Sequence, residues 1–313
     1  MKLFSTNDDA EISDYSPLQR ASAGARITWV SVFVNLVLTV LQVTVGVFAK
    51  SQALIADGIH SFSDLVGDFV VLFANHHSQK DADDDHPYGH QRFETAASLA
   101  LGLILLVVGL GLLWSAAEKL QSPADIPVVH SLALWVAGTT LIAKEGLFRY
   151  MLFVAKKVKS TMLVANAWHA RSDAASSLVV AVGIIGNMLG YTIFDPIAAL
   201  IVGLIVAKMG WGFGFDALHD LVDRSADEDE VQAIRSTLLE TVGVSDVHDV
   251  RTRKMGDMIM VDAHIEVNAQ LTVEQGHDIA VLARQRVMQR HRVLDLMAHV
   301  DPWRRPDLDH ENQ

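Results

Sequence analysis

Two patterns divide the chain. Over its first two-thirds, six stretches are apolar for long enough to cross a bilayer, which takes about 20 residues each. They fall at 27–49, 53–76, 95–120, 129–154, 162–191 and 196–218. From Val222 onward charged residues become dense, and no apolar run is long enough to span. The stretch DEDEVQAIRSTLLETV has helical periodicity, with Asp227 and Glu230 spaced as a capping box. VHDVRTRKMGDMIMVDAHIEV alternates, with MGD as the turn of a hairpin. LTVEQGHDIAVLARQRVMQRH predicts a second helix with Thr272 and Gln275 as its box, and RVLDLMAHVDP predicts a last strand ended by Pro302. The fold expected is a membrane all-α bundle of six transmembrane helices plus a small cytosolic α/β domain of order αββαβ, helices layered on a small sheet. The expected divisions are an N-terminal segment 1–25, the bundle 26–221, the cytosolic domain 222–303 and a disordered tail 304–313.

Composition sharpens this picture. Half of the 313 residues are hydrophobic and mean hydropathy is positive, too apolar for an ordinary soluble chain of this size. The start, MKLFSTNDDAEISDYSPLQR, is polar and lacks a signal-peptide core, so the first apolar segment is expected to stay as an anchor. Arg20 and Arg26 precede the first span, Lys80 and Arg92 lie between the second and third, and Arg149, Lys156, Lys157 and Lys159 lie around the fourth-to-fifth connection. The opposite loops offer only Lys50 and Lys119. The positive-inside rule then places both termini in the cytoplasm. A net charge of −12 argues against a nucleic-acid partner. With no cysteine, a metal can be held only by His, Asp, Glu or backbone oxygens.

Charges inside the apolar stretches carry the chemistry. A charged side chain at mid-bilayer costs roughly 2.5–3.5 kcal/mol on insertion scales. The second span holds Asp57, His60, Asp64 and Asp68 at successive offsets of 3, 4 and 4, which puts all of them on one stripe. The fifth span holds His169 and Asp173, again four apart. If the two helices pack together, His60, Asp64, His169 and Asp173 form a closed tetrahedral set of two imidazoles and two carboxylates, suited to Zn²⁺. The bland alternative is polar glue between helices, which two matched pairs and further aspartates make the weaker reading. A shell with no open position fits transport better than catalysis, and mid-membrane is where transporters bind their cargo. Asp57 and Asp68 extend the stripe as a pathway or as simple helix packing, with Asn35 of the first span a hydrogen-bond partner for one of them. Lys144, Glu145 and Arg171 are further charges near span interiors; Arg171 either pairs with Glu145 or snorkels inward, and a structural ion pair is favoured over a catalytic role.

These motifs are familiar in combination. ALIADGIHSFSD in the second span, DDDHPYGHQRFE after it, ANAWHARSDAASS in the fifth, DPIAALIVG opening the sixth and the α/β tail resemble the cation diffusion facilitator family, with the bacterial ferrous-iron and zinc efflux (FieF-like) branch the nearest in appearance. The likeness runs from about Arg26 to Pro302. It implies a homodimeric, proton-coupled exporter of divalent metal in a bacterial inner membrane, with a metallochaperone-like tail domain. The family's transport site falls on His60, Asp64, His169 and Asp173. The bacterial zinc exporters of the family carry Asp where this chain has His60. The softer set favours Zn²⁺ or Co²⁺ over Mn²⁺, with Fe²⁺ and Cd²⁺ also compatible. A second site is implied at Asp83, His86 and His90, a stretch that by itself reads as a solvated acidic connector. A third is implied at His248, His264, His277, His299 and Asp301. Within it, His299 and Asp301 share a sheet face by alternation, while the other histidines are scattered along the chain. Arg92 and Asp223 match an ion pair that holds the family's dimer together.

Other classes remain in view. An intramembrane metalloenzyme needs an open metal position and a motif such as H-E-x-x-H, which the chain does not contain. A membrane-anchored metal sensor or scaffold would use the tail and loop sites and leave the intramembrane ligands without a task.

Overall fold

The computed structural model describes residues 17–78, 80–157 and 161–303. The side chains at 17–25, 68, 71–76, 161–163, 165, 166 and 169 lie outside that description, and with them those of Asp68 and His169. Most of the expected N-terminal segment and the tail 304–313 fall outside it too.

Six long helices correspond to the six apolar stretches: α1 (Pro17–Ala49), α2 (Gln52–Ser78), α3 (Arg92–Gln121), α4 (Ser131–Lys157), α5 (Thr161–Met188) and α6 (Phe194–Leu221). The first begins ten residues before its apolar stretch, because PLQRASAGAR is rich in good helix formers. By length and composition α1, α3 and α6 are apolar enough to cross a membrane. The helices α2, α4 and α5 are as long, but they carry Asp57, His60 and Asp64, then Lys144, then Asp173.

Packing contacts divide the described chain into two units. One holds the residues up to Phe69 together with Ile104–Trp211, and the other holds Val70–Leu103 with the residues from Gly212 onward. In the first unit α4 lies along both α1 and α5, around a core of Ile27, Leu147, Phe148, Met151 and Ala167. Asp195, at the start of α6, reaches the start of α2. It accepts from Ser51 Oγ at 2.6 Å and from the backbone of Gln52 at 2.7 Å, satisfying donors that a helix N-terminus leaves open. Helices α3 and α6 approach closely at Gly109, where a Cβ would lie 2.4 Å from the backbone nitrogen of Ala207. Gly111, two residues on, faces open space.

In the second unit the tail forms α7 (Glu228–Leu239), β1 (Asp246–Met255), β2 (Met258–Asn268), α8 (Val273–Arg290) and β3 (Val293–Trp303), the expected αββαβ order. Both capping boxes are present. Gly256 turns the hairpin with φ of +60°. The sheet order is β1-β2-β3, antiparallel then parallel. Its core includes Ile234, Leu238, Val261, Ile265, Val287 and Leu296. The last strand does not stop at Pro302 but runs to Trp303. Because β3 is an edge strand, the missing proline N–H need not pair.

The glycine contact gives a stability test. Gly109→Ala is expected to lower the unfolding free energy in detergent by about 1–3 kcal/mol, as overpacking does. Gly111→Ala should leave the melting temperature unchanged or raise it, since alanine is the better helix former. Equal effects at the two positions would contradict the close α3–α6 approach.

Candidate metal centres

The intramembrane set is built from α2 and α5. His60, four residues before Asp64, presents its ring on the same helix face, and Asp173 comes from α5. One ligand atom from each of His60, Asp64 and Asp173 lies within 4.8 Å of the others. His60 Nδ1 is 3.8 Å from Asp64 Oδ2, and His60 Nε2 is 3.9 Å from Asp173 Oδ1. The imidazole is 2% exposed and the two carboxylates are each 20% exposed. A cavity of about 140 Å³ opens beside them, lined by Asp64, Asp173, Ser61, Asn35, Ser31 and Lys144 among others. His169 sits one turn before Asp173 on α5, but its side chain is outside the described residues. Three of the four expected ligands are thus gathered, with Asp64 beside one ring nitrogen of His60 and Asp173 beside the other.

Asp57, one turn before His60, is 1% exposed and is not part of this set. Its carboxylate is held from three other helices. Gln42 of α1 donates to Oδ2, Ser177 of α5 donates to the same oxygen at 2.8 Å, Ser176 donates to Oδ1 at 3.4 Å, and the Lys144 ammonium of α4 lies 3.5 Å from Oδ1. The expected partner Asn35 instead donates to Ser31 Oγ at 3.4 Å. Sequence reading missed Gln42 and the serine pair, although a lone glutamine in an apolar helix is a visible signal. The expected pairing of Arg171 with Glu145 does not form. Glu145 bonds to Arg149 at 2.8 Å, while the Arg171 guanidinium stacks over Phe148 at 4.9 Å and Trp168 at 5.1 Å. Arg149 is one helical turn from Glu145 on the same helix, and aromatic faces attract a guanidinium without a carboxylate.

The loop between α2 and α3 brings Asp83, His86 and His90 together, again within 4.8 Å. Asp83 Oδ1 accepts from the His86 backbone at 2.8 Å, and Asp83 Oδ2 lies 3.3 Å from His90 Nε2. His90 is 6% exposed and its Nδ1 meets the Asp81 carbonyl at 3.1 Å, which turns Nε2 toward Asp83. Gly89, at φ of +82°, closes the turn that sets His86 beside His90. The His86 backbone bond, helped by both imidazoles, holds the Asp83 carboxyl below its usual range. One carboxylate and two imidazoles fit a borderline divalent ion. Arg92, at the start of α3, forms an ion pair with Asp223 within the single chain and donates to the Leu221 carbonyl at 3.3 Å. Asp223 is positioned by a left-handed turn, at φ of +64°, that closes α6.

In the tail, register assembles what sequence scatters. His248, His264 and His299 are direct cross-strand partners on β1, β2 and β3. Their rings stand side by side, 5.1 Å and 4.7 Å between centroids. Two residues along, Asp301 Oδ2 lies 2.9 Å from His264 Nδ1 and 3.4 Å from His248 Nε2, and Asp301 Oδ1 lies 3.4 Å from His299 Nε2. The His264 bond is the main reason the Asp301 carboxyl sits below its usual range. Glu266, the register partner of Asp301, lies 3.6 Å from His248 Nε2 and was not anticipated. His277 is not brought into the set: it stands on α8 and lines a separate cavity of about 340 Å³ that Asp301 borders.

Comparison with known proteins identifies the family. Residues 28–222 match the family described as the cation efflux transmembrane domain, and residues 226–303 match the cation efflux protein cytoplasmic domain. The chain is 34% identical over 288 residues to the manganese efflux system protein MneS of Bacillus subtilis, covering 92% of this chain and 98% of that one. It is 33% identical over 294 residues to metal tolerance protein C1 of Arabidopsis thaliana, covering 89% and 62%. A solved structure titled as the mode of action of a putative zinc transporter, CzrB, is 27% identical and covers 27% of this chain and 99% of that one, with a TM-score of 0.25. The relatives are metal transporters, not enzymes. The chain belongs to the cation efflux, or cation diffusion facilitator, family and is a membrane-integral divalent metal cation efflux transporter.

Proposed function

We propose that this transporter exports Zn²⁺ from the cytoplasm in exchange for protons. It does so as a homodimer in a bacterial inner membrane, with both termini cytoplasmic. The observation that carries the reading is the gathering of His60, Asp64 and Asp173 from two helices inside the apolar bundle. His169, one turn from Asp173 in sequence, would complete a set of two imidazoles and two carboxylates. This set suits a tetrahedral d¹⁰ ion, for which histidine nitrogens are better donors than they are for Mn²⁺. A specific observation favours a second reading: a relative of near-complete coverage is named as a manganese efflux protein. The loop set of Asp83, His86 and His90 and the tail set of His248, His264, His299 and Asp301, with His277 nearby, would hold further ions. In the tail those ions would strengthen the dimer, and Arg92 with Asp223 would brace it from 26–221 to 222–303.

The mechanism follows from protonation. A metal needs neutral imidazoles and ionised carboxylates, so binding and protonation compete. Histidine titrates near neutral pH, so a modest acid shift on the outer side displaces the ion, and protons are carried back as the empty site returns. Alternating access by rocking of helices is the general device for such exchange.

Two outcomes test this. In proteoliposomes, Asp173→Ala and His60→Ala should each cut zinc flux by about a hundredfold or more, beyond the loss typical for groups that only orient a ligand. Flux that survives either change would refute the site. In inverted vesicles, metal uptake should rise when the lumen is acidified and collapse when a protonophore removes the gradient. Uptake indifferent to the gradient would refute proton coupling. Running the same assay with Zn²⁺ and Mn²⁺ in competition decides between the two ions.

A further inference from the structure

Metal binding by His60, Asp64 and Asp173 makes no use of the buried ion pair beside them. Lys144 is 3% exposed and Asp57 is 1% exposed, with their charges 3.5 Å apart. Asp57 is well satisfied by Gln42, Ser176 and Ser177. Lys144 is not. An ammonium carries three donors, yet Nζ finds no hydrogen-bond acceptor among the described residues. Lys144 also lines the cavity of about 140 Å³ whose wall includes both Asp64 and Asp173. A lysine serving only as glue between helices would have its hydrogen-bond donors met as well as its charge paired, because unmet buried donors are costly. This one instead stands at the wall of the enclosure that the cargo enters.

We propose that Lys144 sets the charge of the transport cavity. It neutralises Asp57 and holds that carboxylate out of the metal shell, so among the described residues the carboxylates gathered at the cavity are the two of Asp64 and Asp173. Two charges are balanced by one divalent cation, and a monovalent ion would leave one uncompensated. Asp57 is three residues from His60 on the same helix face, so without its counter-ion it adds a third negative charge one turn from the ion. The cargo would then be held more tightly and released more slowly. Lys144 acts through Asp57 and touches no metal, which makes it a positioning residue. The inference rests on the transport reading above.

The test is a charge cycle on the full-length protein. Initial rates of Zn²⁺ uptake into proteoliposomes are measured for the wild type, Lys144→Met, Asp57→Asn and the double variant. Lys144→Met should lower KM by about tenfold and lower Vmax by more, because affinity gained in a site of excess charge slows release. Asp57→Asn should raise KM by about tenfold, because the lysine is then unbalanced beside the cargo. The double variant should return KM to within about threefold of the wild type, the signature of a coupled pair. Lys144→Arg, which keeps the charge, should keep the wild-type KM. A purely structural pair changes the yield of folded protein, read by size-exclusion profile, without moving KM in opposite directions. Singles that leave KM unchanged or shift it the same way, or a double variant that does not recover, would overturn the proposal. If Lys144→Met does not fold, Asp57→Asn and the double variant alone decide it. If the wild type moves no ion, the transport reading fails. Zn²⁺ dissociation constants by chelator competition, in a background lacking Asp83 and Asp301, then show whether the ordering of the four proteins holds.

Discussion

Carboxylates inside hydrocarbon have to be balanced, and the bundle is arranged around that constraint. Asp57, Asp64 and Asp173 lie within the helical span, where an uncompensated charge costs several kcal/mol. The chain answers in two ways. Asp57 receives a lysine, a glutamine and two serines from three other helices and is closed off from solvent. Asp64 and Asp173 keep partial exposure beside His60 and border a small cavity, which is where the proposed cargo ion would add to their balance. The same division shows in composition. Helices α1, α3 and α6 are apolar enough to cross a membrane, while Asp57, Asp64, Lys144 and Asp173 sit on α2, α4 and α5.

The clusters outside the bundle follow a different logic. Asp83, solvent-exposed, and Asp301, half-buried, are carboxylates whose ionised forms are favoured by hydrogen bonds, the first from a backbone amide and the second from an imidazole. The tail set draws on three strands at once, which ties it to the integrity of the sheet. The buried set, by contrast, draws on two helices of the bundle.

Much of this was legible from spacing. Histidine and aspartate four apart define one helix face wherever the helix goes, so His60 with Asp64 was fixed before any tertiary contact was known. The capping boxes at Asp227 and Thr272 and the turn at Gly256 are equally local, and the tail elements fall where those signals place them. What was not legible depends on register or on partners across helices. No sequence rule aligns His248, His264 and His299 across three strands, or sets Glu266 beside His248. Gln42 and Asp57 are fifteen residues apart on different helices, and only the α1–α2 packing joins them. Arg171 was misassigned because aromatic stacking competes with ion pairing and leaves no periodic trace. Pro302 was read as a stop because an edge strand cannot be told from a central one in sequence.

The central claim is that one divalent ion is gripped between α2 and α5 by imidazole and carboxylate donors. X-ray absorption at the zinc edge tests it most directly, on full-length protein whose loop and tail ligands have been substituted. The account predicts one retained zinc per chain with about four nitrogen and oxygen neighbours near 2.0–2.1 Å, imidazole scattering among them. A protein that retains no zinc, or one whose ion shows a six-oxygen hydrated shell without imidazole, would contradict it.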